Sequence, residues 1–336
     1  MDVSIYSPDI FEVLVKCRRS QTVQWSRYPR FVFSCGAAPS PIHPARTALR
    51  RYIDQRRRSD DQNIYCLSAE GVVESNVFGS TDLITQESMI VDVADWLIIF
   101  AESVGSYCEL GAFTALPHAL EITSVAVNKS EREKSSYLMM GPVRAVEEHE
   151  SELCEVFYVD FNCVLDCPEL VSFVDTLHYR INSADRKRGG NGKRKRLNEH
   201  VDKLSVGSLV HELIDVLSVL EPMTREDLLE AYLKVMEFKA DGLRIYSETI
   251  SKDLNKDSSI SYDQVIEFMK ANRLIIEDNP PSGHRVLRSG VHQRGSFLFR
   301  MENNKDLQKV RARVLLRKRE RAAYGVKRVY RPADER

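Results

Sequence analysis

The stretch Asp95-Trp-Leu-Ile-Ile-Phe-Ala-Glu-Ser-Val-Gly-Ser-Tyr-Cys-Glu-Leu-Gly-Ala-Phe113 contains the most strand-like run of the chain. From Trp96 to Phe100 it is continuously apolar, as in a parallel strand that is buried on both faces. The part that follows predicts a helix over residues 108–120. A loop joins the two, and its polar or small residues are Glu102, Ser103, Gly105 and Ser106.

Similar runs predict further strands on either side of this one, at residues 30–36, 63–67, 124–127 and 157–161. Helical patterns at residues 44–57 and 81–93 lie between them, the second with Thr81 or Asp82 as its N-cap. Alternating strands and helices indicate an α/β fold with an open parallel, Rossmann-like sheet. A short helix at residues 8–17 precedes it.

The loop after residue 100 lies where an open α/β sheet binds ligands, outside the carboxyl ends of its strands. Glu102 is at the strand exit, and Glu109 is predicted in the first turn of the next helix. Cleavage of an N-glycosidic bond develops positive charge on the sugar, which a carboxylate can stabilise or attack. A second polar group can orient the sugar or deliver water. The residues alone leave open a structural alternative, in which Glu109 complements the helix dipole and Glu102 is solvated.

Beyond residue 150 the alternation stops. Helical patterns at residues 204–220, 225–238 and 261–271 lead into two short strands around a Pro-Pro-Ser-Gly turn, which predicts a winged helix. Candidate nucleic-acid contacts on this part and on the basic C-terminal helix are Lys270, Arg273, Arg285, Arg288, Arg317 and Arg319. A solvated basic surface, or a winged helix that binds protein, is the alternative.

Composition narrows the class of protein. The 336 residues are 43% hydrophobic and 29% charged, and no apolar run is long enough to cross a membrane. The N-terminus lacks a signal-peptide pattern.

Seven cysteines without framework spacing suit a reducing compartment. Cys163 and Cys167, with Cys154, His149 and His178 nearby, could bind zinc, but we favour structural cysteines because no finger-type second pair follows.

The formal net charge of −1 hides an asymmetry between the two halves. Residues 1–150 contain 15 Lys and Arg against 20 Asp and Glu, so the excess of positive charge lies in the second half. Residues 186–196 form one basic, glycine-containing run, which predicts a flexible linker. This distribution suggests catalysis in the first half and a polyanion contact in the second.

The pattern Glu102-Ser-x-Gly-Ser-x-x-Glu-Leu-Gly-Ala-Phe113 resembles the signature of nucleoside deoxyribosyltransferase-like enzymes. With the domain order above, the chain is similar to retron effector proteins, which pair such a domain with a winged-helix DNA-binding domain. The resemblance implies that Glu109 is the nucleophile and Glu102 the second catalytic carboxylate. It also implies substrate contacts, at Cys35, Gly36, Ser103, Gly105, Ser106 and Asp82.

The resemblance further implies a cytoplasmic anti-phage toxin that hydrolyses the N-glycosidic bond of NAD or a related nucleotide. NAD would be the substrate, and neither a cofactor nor a metal would be needed. The implied partners are the retron reverse transcriptase with its branched RNA–DNA, and further copies of the chain in a homo-oligomer or higher-order assembly, but no membrane. The alternative is a nucleotide-binding sensor or transcription regulator without catalysis.

The expected organisation has four parts. Residues 1–165 form the catalytic domain and residues 166–203 a helix with the basic linker. Residues 204–300 form the winged helix, and residues 301–336 the basic C-terminal helix and tail.

Overall fold

The computed structural model describes residues 8–19, 29–59, 63–74, 83–189, 203–238, 244–252, 259–279 and 285–291, with residues 299, 310, 312 and 316. The chain divides into two compact units. One, the sheet unit, comprises Tyr28–His211 and Gly242–Ile275. The other, the second unit, comprises Met1–Arg27, Glu212–Asp241 and Ile276–Arg336. The predicted boundaries at residues 165, 203 and 300 stay a prediction.

A five-stranded sheet forms the centre of the sheet unit. Its strands are β1 (Arg30–Cys35), β2 (Ile64–Leu67), β3 (Trp96–Phe100), β4 (Thr123–Asn128) and β5 (Val156–Val159). All neighbours are parallel, in the order β2-β1-β3-β4-β5. Every residue of β1 and β3 is buried, which explains their continuous apolar runs. The predicted α/β fold with an open parallel sheet is confirmed.

Helices connect these strands. They are α2 (Ala45–Ser59), α3 (Ala69–Glu74), α4 (Leu83–Val93), α5 (Val104–Thr114), α6 (Pro117–Leu120), α7 (Arg144–Glu147), α8 (Pro168–Asp175) and α9 (Leu177–Gly189). A π-helical turn, Met139–Val143, precedes α7. Two 3₁₀ turns lie at Lys129–Glu131 and Val164–Asp166.

The prediction of one helix over residues 108–120 is wrong. The first helix here begins earlier, and a second, separate helix follows it. Helix α5 begins at Val104, because Ser103 and Ser106 form a capping box at its first turn. It ends at Thr114, and Pro117 then begins α6 as a first-turn proline, a position where its missing N–H costs nothing. The correction moves Glu109 from the first helical turn to the second.

The sheet unit also takes in later segments. A small sheet joins β6 (Lys203–Ser205), β7 (Arg244–Tyr246) and β8 (Ser259–Ile260). Helices α12 (Glu248–Lys252) and α13 (Tyr262–Ala271) belong to the same unit. Asp92 of α4 accepts hydrogen bonds from the N–H (2.9 Å) and the hydroxyl (2.6 Å) of Thr249. These bonds attach α12 to α4, one of the helices that connect the strands of the central sheet.

The second unit contains α1 (Pro8–Arg19), α11 (Arg225–Met236) and the last residues of α10 (Val206–Leu220). Arg18 of α1 forms an ion pair with Glu237, which follows α11, at 2.7 Å. The short strands β9 (Ile275–Asp278) and β10 (Val286–Ser289) form a two-stranded sheet. The described residues thus contain helices and two short paired strands in the region predicted for them, 204–300, whereas their arrangement as a winged helix stays a prediction.

Among the described residues, no helix is long and apolar enough to cross a membrane.

Candidate functional site

The loop after β3 is fixed by the hydroxyl groups of two serines. Ser106 Oγ accepts hydrogen bonds from the N–H of Glu102 (3.1 Å) and of Ser103 (3.0 Å). Ser103 Oγ accepts one from the N–H of Ser106 (3.2 Å), which completes the capping box of α5. The two hydroxyls therefore hold the loop that positions Glu102. Their predicted contact with substrate, like that of Gly105, stays a prediction.

Gly36 follows β1 next to this loop, at the point where the strand order of the sheet reverses. Its φ of +154° is one that side chains disfavour. A Cβ there would lie 3.1 Å from Arg46 Cδ and 3.2 Å from Phe100 Cβ. The glycine thus allows Arg46 to approach the carboxyl edge of the sheet.

Glu102 is almost wholly buried, with 3% of its side chain exposed. Neither carboxylate oxygen makes a hydrogen bond of normal geometry within the described residues. His43 Nδ1 lies 3.5 Å from Glu102 Oε2. Burial raises the pKa of Glu102, although His43 and the Ala37 N–H oppose the shift. Glu102 is thus poised to accept a proton or to bind a donor group of a ligand.

Glu109 is half-buried on α5. Its Oε2 is buried and has no hydrogen-bond partner in the described part of the chain. Burial raises the pKa of Glu109; the positive charge of Arg46 opposes this shift and the negative charge of Glu70 adds to it. A carboxylate in such a setting costs free energy when it is left without a ligand.

Arg46 and Glu70 form an ion pair beside these two glutamates. Arg46 Nη1 lies 2.5 Å from Glu70 Oε1, and Ser68 Oγ donates to Glu70 Oε2 at 2.6 Å. Burial disfavours the Glu70 carboxylate, but the hydrogen bonds from Arg46 and Ser68 outweigh it and lower the pKa to about 2. Glu70 is therefore ionised at neutral pH and fixes the guanidinium in the site. The Arg46 side chain is 10% exposed, and its Nε has no partner among the described residues.

Glu87 of α4 and Cys35 complete the cluster. Burial first, then the charges of Glu109 and Glu70, raise the pKa of Glu87 to about 7. Burial and the charges of Glu109 and Glu87 raise the pKa of the Cys35 thiol, so it is neutral and not a nucleophile. Its predicted contact with substrate stays a prediction.

The site therefore brings together the two predicted carboxylates, Glu102 and Glu109, with four residues that sequence reasoning did not assign to it. These are His43, Arg46, Glu70 and Glu87. A usable signal was present for His43 and Arg46, because both follow the Gly36 turn and residues after a strand lie at the carboxyl edge.

Four carboxylates face one arginine and one histidine here. A negatively biased, partly buried site of this kind stabilises positive charge that develops on a bound molecule. Within the described residues, no group of three or more His, Cys, Asp or Glu side chains is arranged to hold a metal ion.

The predicted nucleic-acid contacts are largely paired with acids. Lys270 Nζ lies 3.0 Å from Glu267, Arg288 Nε 2.7 Å from Asp278, and Arg285 Nη1 3.8 Å from Glu277. Arg273 is exposed, directly after α13, with a φ of +56°. Arg317 and Arg319, the other two predicted nucleic-acid contacts, lie outside the described residues. The same holds for Asp82, a predicted substrate contact.

Comparison with protein families decides the identity of the chain. The model of the STM3845 retron effector protein family matches residues 43–275, which is more than half of the sequence. The chain belongs to this family. This retron effector is accordingly a component of a retron anti-phage system. A search of curated proteins gives no match to the chain.

Proposed function

We propose that this retron effector is a toxin that hydrolyses the N-glycosidic bond of NAD or a related nucleotide, with Glu109 as the nucleophile. The observation that carries the proposal is the Glu109 carboxylate itself. It is half-buried on α5, has an oxygen without a hydrogen bond among the described residues, and is stabilised by the charge of Arg46, which also acts on the buried carboxylate of Glu102.

The proposed reaction has two steps. Glu109 forms a bond to C1′ of the ribose while the C1′–N bond breaks, and the bonding electrons leave with the base. When the base is nicotinamide it departs neutral, so this step needs no proton donor. Water then attacks C1′, the bond to Glu109 breaks, and a neighbouring carboxylate takes the proton from the water. The burial and raised pKa of Glu102 suit it to that second role.

The electrostatics of the site support a transition state with positive charge on the sugar. The carboxylates of Glu70, Glu102 and Glu109 outnumber the single guanidinium of Arg46. Such charges act strongly in a partly buried site, since water screens them less. The same bias favours a substrate whose glycosidic nitrogen is cationic, as in NAD.

We further propose that the reverse transcriptase and its branched RNA–DNA restrain this toxin in the cytoplasm until a phage is sensed. In this proposal, residues 204–300 form a winged helix that contacts the nucleic acid, and copies of the chain assemble into a homo-oligomer or a higher-order assembly. These statements come from the resemblance to retron effectors and from the helices and the two-stranded sheet in that region.

The function is tested by incubating the purified full chain separately with NAD, ATP and a set of deoxynucleosides, and measuring released base by chromatography. We expect free nicotinamide with an equal amount of ADP-ribose from NAD. Addition of a second free base separates hydrolysis from transfer, because a transferase would make a new nucleoside. Binding of these compounds without any released base would instead favour the sensor function.

A further inference from the structure

Helix α2 is the most basic helix or strand in the described part of the chain. It contains six arginines and one aspartate in 15 residues. The surrounding sequence has the opposite bias, because residues 1–150 contain 15 Lys and Arg against 20 Asp and Glu. So much positive charge on one helix of an otherwise acidic segment needs a specific physical reason.

Three of the six arginines hold the helix to the sheet unit. Arg46 is paired with Glu70 in the candidate site. Arg56 binds Asp175 with two nitrogens, Nε at 2.8 Å and Nη2 at 2.7 Å. Arg57 pairs with Asp54 at 2.9 Å and lies over the ring of Tyr65, 4.6 Å from its centroid. These contacts make α2 a firmly fixed helix and neutralise its one aspartate.

The other three arginines, Arg50, Arg51 and Arg58, have no such role. All three are exposed, and none has an ion-pair partner among the described residues. Arg51 and Arg58 lie on one side of the helix with Gln55, and Arg50 is about 100° around the helix from Arg51. Arg51, Asp54, Gln55 and Arg58 line an open depression on this side. Complementarity to the helix dipole explains Arg58, in the last turn, but not Arg50 and Arg51.

We propose that this α2 basic face, defined as Arg50, Arg51, Gln55 and Arg58, binds the sugar-phosphate backbone of a nucleic acid. Arg51 and Arg58 are seven residues apart, or about 11 Å along a helix. One strand of a duplex carries a phosphate for about every 3.4 Å of the duplex axis, so a helix aligned with that axis passes roughly three phosphates over this distance. Unpaired guanidinium groups in a row on a rigid helix can bind successive phosphates with little loss of conformational entropy.

The α2 basic face is a better candidate for this contact than three of the predicted basic residues. Lys270, Arg285 and Arg288 are paired with acids, whose charge a phosphate would have to displace. The inference adds a surface to the proposed nucleic-acid partner. It does not depend on glycosidase activity, and a binding measurement fails or succeeds separately from base release.

The test measures binding of a fluorescein-labelled 20-nucleotide RNA–DNA hybrid to the full chain by anisotropy, over a series of KCl concentrations. In the variant Arg50→Gln/Arg51→Gln/Arg58→Gln we expect binding to weaken about tenfold or more. The slope of log K against log salt should fall by about 2–3, because three counterions are no longer released. A matched variant, Lys129→Gln/Arg132→Gln/Arg244→Gln, removes the same charge from exposed positions elsewhere and should leave the slope unchanged.

Three results would overturn the proposal: equal weakening in both triple variants, unchanged binding in the α2 variant, or no binding of the hybrid by the wild type. Binding to phosphatidylserine vesicles in preference to the hybrid would assign the face to a membrane and count against it as well. If the glutamine variant unfolds, the variant Arg50→Lys/Arg51→Lys/Arg58→Lys, which keeps the charge, is measured in its place. The proposal requires that this lysine variant retain the wild-type salt slope.

Discussion

At the scale of single residues, the main finding is that Arg46 is the strongest positive charge within the candidate site. Its guanidinium is buried against Gly36 and paired with Glu70, and its charge opposes the rise in the pKa values of Glu109 and Glu87. Ionised Glu109 is the form that acts as a nucleophile, so Arg46 sets the lowest pH at which the proposed enzyme works.

We therefore expect Arg46→Gln to shift the acid limb of the pH–rate profile of base release upward. The shift is upward because loss of a nearby positive charge disfavours the ionised form of Glu109. Arg132→Gln removes an exposed charge that lies over Tyr158 and serves as the control. An Arg46→Gln profile that coincides with that of Arg132→Gln would show that Arg46 does not act on the site charge.

Glu87 gives a second prediction, on stability. Its pKa is raised to about 7 in the folded protein, above the ordinary glutamate value of about 4.3. A raised carboxyl pKa favours the folded state at low pH, and the advantage is lost as pH rises through the folded pKa. Glu87→Gln should thus increase the free energy of unfolding by roughly 1–3 kcal/mol at pH 8 and by much less at pH 5. Urea unfolding at the two pH values measures the difference, and equal gains at both would contradict it.

At the scale of secondary-structure elements, the sequence predicted the sheet because its central strands β1 and β3 are buried on both faces and therefore mostly apolar. It also predicted the position of Glu102, since the end of a parallel strand fixes the edge at which the next loop lies. The start of α5 was missed because the capping box has serine rather than glutamate or glutamine at its third position.

His43, Arg46 and Glu87 were missed for a different reason. Each comes from an element other than the β3–α5 loop, and only the packing of α2 and α4 beside it brings the side chains together. No spacing along the chain encodes this convergence. The sequence pattern thus identified the proposed nucleophile but not the charges that tune it.

The contact between α4 and α10 gives a prediction at this scale. A Cβ at Gly207 would lie 2.2 Å from the carbonyl oxygen of Asp92, so α10 could not pack in its present position. Gly207→Ala should destabilise the protein by about 1–3 kcal/mol or more. Gly111→Ala is the matched control, because a Cβ there meets nothing within 4 Å and alanine favours a helix. If both variants unfold at the same urea concentration, the close contact at Gly207 is wrong.

At the scale of the whole molecule, the sheet unit contains both the candidate site and the α2 basic face. Helix α2 contributes Arg46 to the site at its first turn and Arg50 and Arg51 to the face one turn later. The proposed function requires an activity and a contact with the restraining partners. The chain has candidate residues for both within one compact unit.

Glu109 is the proposed nucleophile of glycosidic cleavage in this retron effector. The most direct measurement is the rate of nicotinamide release from NAD by wild type, Glu109→Gln and the control Glu133→Gln, an exposed glutamate of the same unit. Thermal unfolding of each sample confirms that it is folded. We predict a fall on the order of 10³-fold or more in Glu109→Gln and a wild-type rate in Glu133→Gln. Nicotinamide release by folded Glu109→Gln at the wild-type rate would contradict the account.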